Sequence, residues 1–284
     1  MNGVIAVRPF ALEDLEAASL FCDAARALDP SIEPFGQRLG LLATGTRALL
    51  ELWRVAADEE GAVCGISFVA IRAESLFDFY TAVHPSLRRQ GLGRALSEPS
   101  LASGAALRAR VRDDSTPGRA FLQSLGFAET GAQLSLHWNP RPLDLPPMPA
   151  LTIRRASEKD WPILEKLSNA AWEGAPEAFA SRPDEIAQLF GQEDRVVLLA
   201  ESEGKPLGYL SGVQLGRTLG IEEVAVLPDH RRMGIARALL GQALAKEQGA
   251  VLSVSEANTA ARGLYKSLGF TQTTRRIVME LRNG

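Results

Sequence analysis

Arginine, glycine and a helix start in close succession are the features that grip a phosphate, and this chain places them together after Pro228. An apolar run ends at the proline, and Arg231-Arg232-Met233-Gly234-Ile235-Ala236 follows it. Ile235, Leu239, Leu240, Ala243 and Leu244 then share one face of a predicted helix. Small residues at 234 and 236 let the backbone approach a ligand, and a helix start offers N–H groups that lack intrahelical acceptors. A pyrophosphate suits such a turn, and arginines pointing inward would add charge-assisted contacts. An Arg/Gly-rich turn that merely caps a helix is common. What favours a ligand here is recurrence, since Arg88-Arg89-Gln90-Gly91-Leu92-Gly93 follows another apolar run and Pro85. Two other nucleotide motifs are set aside. No G-x-x-x-x-G-K-S/T occurs, and Gly91-Leu92-Gly93 lacks the third glycine of the dinucleotide fingerprint.

The recurrence extends well beyond the turn. Val226 to Phe270 slides back 143 positions onto Val83 to Phe127 without a gap, with 17 of 45 positions identical. Both copies also open alike, with Val7-Arg8 and Ile153-Arg154 each followed by an acid-rich helical stretch. Between them, Asn139 to Ala150 holds five prolines, a density that favours an extended spacer. The predicted organisation is a first domain at 1–140, a Pro-rich linker at 141–150 and a second domain at 151–284. In the second copy, strands are predicted at Leu151–Arg155, Val196–Glu201, Leu207–Val213, Ile221–Leu227, Val251–Val254 and Arg275–Leu281. Helices are predicted from the Ser157/Asp160 cap to Ala171, from Ile235 to a stop at Gly249, and from Thr259 to Leu268. In the first copy, Pro99 is expected to break the corresponding helix. The fold class is α/β: two tandem domains, each a mixed central sheet flanked by helices.

Composition bounds what such a chain does. Its 284 residues are 46% hydrophobic and 23% charged, ordinary for a soluble globular protein. The formal net charge is -3, and neither half is net basic, which argues against nucleic acid as a partner. The longest apolar run, Ala62 to Ile71, is about half of what a bilayer span requires, so no membrane role is expected. Cys22 and Cys64 have neither metal-ligand nor CxxC spacing, so no metal is expected and a reduced cytoplasm is the predicted location.

Two motifs together resemble the GNAT (GCN5-related) N-acetyltransferase superfamily. The first, V-x-P-x-x-R-x-x-G-x-G/A, is carried by Val226, Pro228, Arg231, Gly234 and Ala236. The second, N-x-x-A-x-x-L-Y-x-x-L-G-F, is carried by Asn258, Ala261, Leu264, Tyr265, Leu268, Gly269 and Phe270. The layout is similar to a tandem GNAT protein with a degenerate first copy. The resemblance implies acetyl-CoA as acyl donor, with its pyrophosphate held by the backbone of Arg232, Met233, Gly234, Ile235, Ala236 and Arg237 beside Arg231. It further implies that the strand around Val226 pairs with the pantetheine arm and that Asn258 contacts the cofactor.

Acetyl transfer to an amine poses three chemical problems. An amine of pKa near ~10 must lose its proton, a carbonyl oxygen must be stabilised, and a thiolate of pKa ~8.5 must leave. The resemblance assigns the base to Glu222, nine residues before the motif arginine, with Glu223 as the alternative. Neighbouring strand residues point to opposite faces, so only one of the two is expected to face a given site. Tyr265 is implied as the acid for the leaving sulfur, and a backbone N–H near Val226 as the oxyanion donor. His230 reads as solvated, Trp53 and Trp161 as core, and Trp172 as a wall of an acceptor pocket. The first copy has Phe79, Tyr80, Ser115 and Leu122 at the positions of Glu222, Glu223, Asn258 and Tyr265. It is therefore expected not to catalyse, and either binds CoA or is structural. The primary reading is an acetyl-CoA-dependent N-acetyltransferase acting on a primary amine of a small molecule or peptide. The alternative is a non-catalytic acyl-CoA-binding or regulatory module.

Overall fold

The computed structural model describes residues 4–32, 39–45, 47–73, 76–173 and 194–282. It divides into two compact units, Met1–Ala132 with Arg276–Gly284, and Gln133–Arg275.

The first unit contains β1 (Ala6–Pro9), α1 (Leu15–Leu28), α2 (Leu39–Gly45), β2 (Arg54–Ala57), β3 (Val63–Ala73) and β4 (Leu76–Val83). It continues with α3 (Leu92–Ala102), β5 (Ala106–Arg112) and α4 (Thr116–Ser124), and the next strand is β6 (Ala128–Trp138). The second unit contains β7 (Thr152–Arg155), α5 (Trp161–Trp172), β8 (Arg195–Ser202), β9 (Lys205–Leu215), β10 (Thr218–Val226) and α6 (Ile235–Leu244). It closes with β11 (Gly249–Ser255) and α7 (Thr259–Ser267), and the chain then enters β12 (Thr271–Leu281).

Strand order is β1-β2-β3-β4-β5-β12 in the first unit and β6-β11-β10-β9-β8-β7 in the second. Each sheet is mixed, because one pair in each is parallel. Leu76–Asp78 of β4 pairs with Ala106–Arg108 of β5, and Thr218–Ile221 of β10 with Gly249–Leu252 of β11. Beyond those short ladders the parallel strands part, and each parting opens a cleft.

The packing boundary differs from the repeat boundary at 141–150. Gln133 to Trp138 of β6 belong to the first copy in sequence, yet they pair with β11, and Leu134, Leu136 and Trp138 are buried in the second unit's core. Arg276 to Leu281 of β12 pair with β5 instead, burying Ile277 and Met279 in the first unit's core. The two final strands are repeat equivalents, so alternation alone does not reveal which sheet each one joins. The proline-rich segment is more than a spacer. Leu143, Met148 and Leu151 pack on the second unit's core, and Leu145 sits against Gly241 of α6.

Each copy opens with the same device. Arg8 grips buried Asp14 at 2.6 Å, and Arg154 grips buried Asp160 at 2.7 Å. Asp160 also accepts from the backbone N–H and hydroxyl of Ser157, forming a capping box ahead of α5. Two helix expectations are corrected. Gly249 opens β11 and does not cap α6, which ends at Leu244. The second concerns α3, which runs through Pro99 to Ala102, because a missing N–H near a helix end removes only one backbone bond.

Candidate active site

The turns after Pro228 and Pro85 share one backbone conformation. Arg232 and Gly234 have φ of 65° and 89°, and Arg89 and Gly91 have 65° and 84°. Glycine adopts this left-handed region without a Cβ penalty. No side chain caps the start of α6 or α3, so the first N–H groups keep their capacity for an anion. The motif arginines do not reach inward. Arg231 donates through Nε to the Val226 carbonyl at 3.3 Å and through Nη2 to the Ala171 carbonyl at 2.5 Å. Arg88 donates to the Val83 carbonyl at 3.2 Å and pairs with Asp29 at 2.7 Å. In both copies this guanidinium ties the turn to its strand and to the first helical segment. Arg237 donates to Ser267 Oγ and to the Asp144 carbonyl, while Met233 is exposed.

Where β10 and β11 part, a cleft of about 110 Å³ is lined by Trp172, Glu222, Glu223, Asn258, Ala261 and Tyr265 among others. Both glutamates line it, contrary to the alternation argument. The register of β10 against β9 shifts between Ile221 and Glu223, so Glu222 is the extra residue of a β-bulge and strict alternation is broken there. Glu222 is exposed and ion-paired with Arg195. Glu223 is half-buried and accepts from the Trp172 indole N–H and from Ser168 Oγ at 3.3 Å. It also engages buried Tyr209, whose hydroxyl is pushed far up by burial and by the Glu223 charge. Tyr209 and Ser168 escape sequence reasoning because one lies in an apolar strand run and the other on a helix face that reads as core.

Tyr265 is buried in the cleft wall with its ring edge-on to Phe270 at 5.5 Å, and burial pushes its phenol up to about 12. Asn258 lines the cleft and also caps α7, its Oδ1 accepting from the Ala261 N–H at 3.0 Å. Trp53 is fully buried and Trp161 partly so. His230 is half-buried, and its Nδ1 is shielded from solvent, in contrast to the solvated placement expected of it.

The first unit's cavity is larger, about 460 Å³, and lies where β4 and β5 part. Phe79, Tyr80, Ser115 and Leu122 all line it. Asp78 is held by Arg110 at 3.2 Å, and Arg110 also donates to the Tyr80 hydroxyl at 3.4 Å. Among the described residues no His/Cys/Asp/Glu group is placed to hold a metal ion, and no helix is long and apolar enough to cross a membrane.

Residues 161–270, which hold the cleft and its turn, match the Acetyltransferase (GNAT) family. Over 280 residues the chain is 29% identical to the mycothiol acetyltransferase of Tsukamurella paurometabola, covering 89% of this chain and 90% of that protein. It is 32% identical over 140 residues to aminoglycoside N(6')-acetyltransferase type 1 of Acinetobacter haemolyticus, covering 43% of this chain and 92% of that enzyme. Its fold is similar to a GCN5-related N-acetyltransferase from Sphaerobacter thermophilus, with TM-score 0.74, 19% identity, and 99% and 96% of the two chains covered. A tandem GNAT protein from the clavulanic acid biosynthesis pathway gives TM-score 0.73 at 19% identity, with 99% of each chain covered. A cleft at parted strands, an uncapped helix start beyond it and these relationships lead to one conclusion: the chain is an acyltransferase and belongs to the GNAT N-acetyltransferase family.

Proposed function

We propose that this enzyme is an acetyl-CoA-dependent N-acetyltransferase that acts through a direct ternary complex, with its chemistry in the second unit, on the primary amine of a small molecule. The observation that carries the reading is the convergence of Glu222, Asn258 and Tyr265 on one cleft, from which β10 leads into the Gly234 turn. A CoA thioester suits what is present. The uncapped start of α6 has N–H groups for a diphosphate, and beyond Ile221 the β10 backbone has no β11 partner to exclude an extended arm. When bound, the thioester supplies an acetyl group already activated for transfer.

The protein's own residues do the rest. Glu222 takes the proton of the incoming ammonium at its carboxylate, from a position held by the bulge and by Arg195. Glu223, with Trp172 and Ser168, forms the acceptor wall. The Val226 N–H is assigned to the carbonyl oxygen. The Tyr265 hydroxyl, which burial keeps protonated, gives its proton to the departing sulfur. Support for a small acceptor comes from the names of the two relatives, mycothiol acetyltransferase and an aminoglycoside acetyltransferase. The test is thiol release from acetyl-CoA by the intact chain across panels of small amines and of peptides. Turnover with small amines is expected; turnover with peptides alone overturns the acceptor class, and no release with either overturns the catalytic reading.

A further inference from the structure

We propose that the first unit binds a small dianionic oxyanion of the phosphate type on a cluster of arginines centred on Arg108. The cluster follows one rung of the sheet across three strands. Asp78 of β4 pairs in register with Arg108 of β5, and Arg108 with Glu280 of β12. Two further arginines join it. Arg72 of β3 stands 3.6 Å from the Asp78 carboxylate, and Arg110 donates to both Asp78 oxygens at 3.2 and 3.3 Å. These side chains are largely withdrawn from water, with relative exposures of 11% for Arg108, 15% for Arg110, 14% for Asp78 and 8% for Glu280.

The second unit supplies the comparison. The third pair of its parallel ladder is Gly220 with Val251, where the first unit has Asp78 with Arg108, and Val251 pairs in turn with His137. That rung carries neither a carboxylate nor a guanidinium, so the fold does not require ions here. Burying them is costly unless every charge is well paired. In the first unit the carboxylates are already engaged, Asp78 by Arg110 and Glu280 Oε2 by two donors of Arg282 at 2.9 and 2.7 Å. Arg108 Nε is buried with no hydrogen-bond acceptor among the described residues, and the nearest carboxylate oxygen, Glu280 Oε1, is 3.8 Å away. A buried donor left in that condition costs its full desolvation. Burial, and then the charges of Arg72 and Arg110, hold the Arg108 guanidinium below its ordinary value, so the surroundings are net positive. The cluster sets four guanidiniums, of Arg72, Arg108, Arg110 and Arg282, against the two carboxylates of Asp78 and Glu280. A dianion balances that excess, and guanidinium forks match the oxygen spacing of a phosphate or sulfate. A single carboxylate would balance only half of it.

The experiment is calorimetric titration of the full chain with sodium phosphate, sodium sulfate and sodium acetate, in mildly alkaline chloride buffer of constant ionic strength. Phosphate and sulfate are expected to bind, and acetate at least tenfold more weakly. Arg108→Val, which copies the rung of the second unit, should weaken phosphate binding at least tenfold. Arg108→Lys keeps the charge without the fork and should weaken it about fivefold; it decides the matter should the valine variant not fold. Melting curves give a second readout: phosphate should raise the melting temperature of the unsubstituted chain and leave that of the Arg108 variant nearly unmoved. Phosphate held by the Gly91 or Gly234 turn would survive both substitutions, and that result overturns the proposal. So does acetate binding as tightly as phosphate, no binding of either dianion, or an equal rise in melting temperature with and without Arg108.

Discussion

A buried phenol is useful as an acid only while it keeps its proton, and Tyr265 keeps it because burial raises its pKa to about 12. The expected consequence is a rate profile with no falling limb from this residue until pH nears that value. Tyr265→Phe should lower kcat about 100-fold with little change in the KM for the amine, measured by thiol release under saturating acetyl-CoA. The two glutamates separate in the same assay. Glu222→Gln removes the proposed base and should lower kcat, whereas Glu223→Gln leaves Trp172, Ser168 and Tyr209 with a neutral partner and should chiefly raise the KM for the acceptor. Equal effects on kcat would overturn this division of labour. Tyr265 and Asn258 were legible because a motif fixes their spacing on α7. The shared facing of Glu222 and Glu223 was not, because a bulge is a property of the pairing between two strands and one strand's sequence does not encode it.

At the scale of elements, what the turns require is a conformation more than a charge. Gly234 stands at φ 89°, where a β-branched side chain is strained by roughly 1–3 kcal/mol. Gly234→Val should therefore raise the KM for acetyl-CoA more than tenfold while kcat falls less. Most elements were readable from apolar periodicity, and the gap-free offset of 143 places β11 on β5 and α7 on α4. Pro99 misled because the rule about helix interiors weakens in the last turns, and Gly249 because a glycine that starts a strand looks like one that ends a helix. The capping turn ahead of α5 carries a pH prediction. Arg154 and the Ser157 donors hold the Asp160 carboxyl well below its ordinary value of 3.8, so the unfolded chain binds more protons than the folded one as the solution is acidified. Its stabilisation is complete above about pH 5 and is lost as pH falls through the ordinary carboxylate range toward the lowered folded value. Asp160→Asn should lower the melting temperature at pH 7 and flatten the acid limb of the stability curve; an unchanged limb would show the pair to be energetically idle.

At the scale of the whole chain, sequence repeat and packed unit do not coincide, and the last strands decide the difference. Ile277 and Met279 belong by sequence to the second copy, yet both are fully buried in the first unit's core. Truncating a fully buried methionine to alanine costs about 2–5 kcal/mol, through lost burial and the cavity left behind. The loss falls on whichever unit holds the side chain. Met279→Ala is therefore expected to speed amide exchange in β5, whose Ala109 is its register partner, while β11 amides near Leu252 keep their protection. A repeat-by-repeat fold predicts the opposite pattern, since Met279 would then close the sheet next to β11. The reciprocal substitution, Leu136→Ala in β6, should weaken β11, where Leu136 faces Leu252, and spare β5. Exchange measured on the intact chain distinguishes the two arrangements without cutting it, and protection lost in β11 on Met279→Ala would overturn the strand exchange.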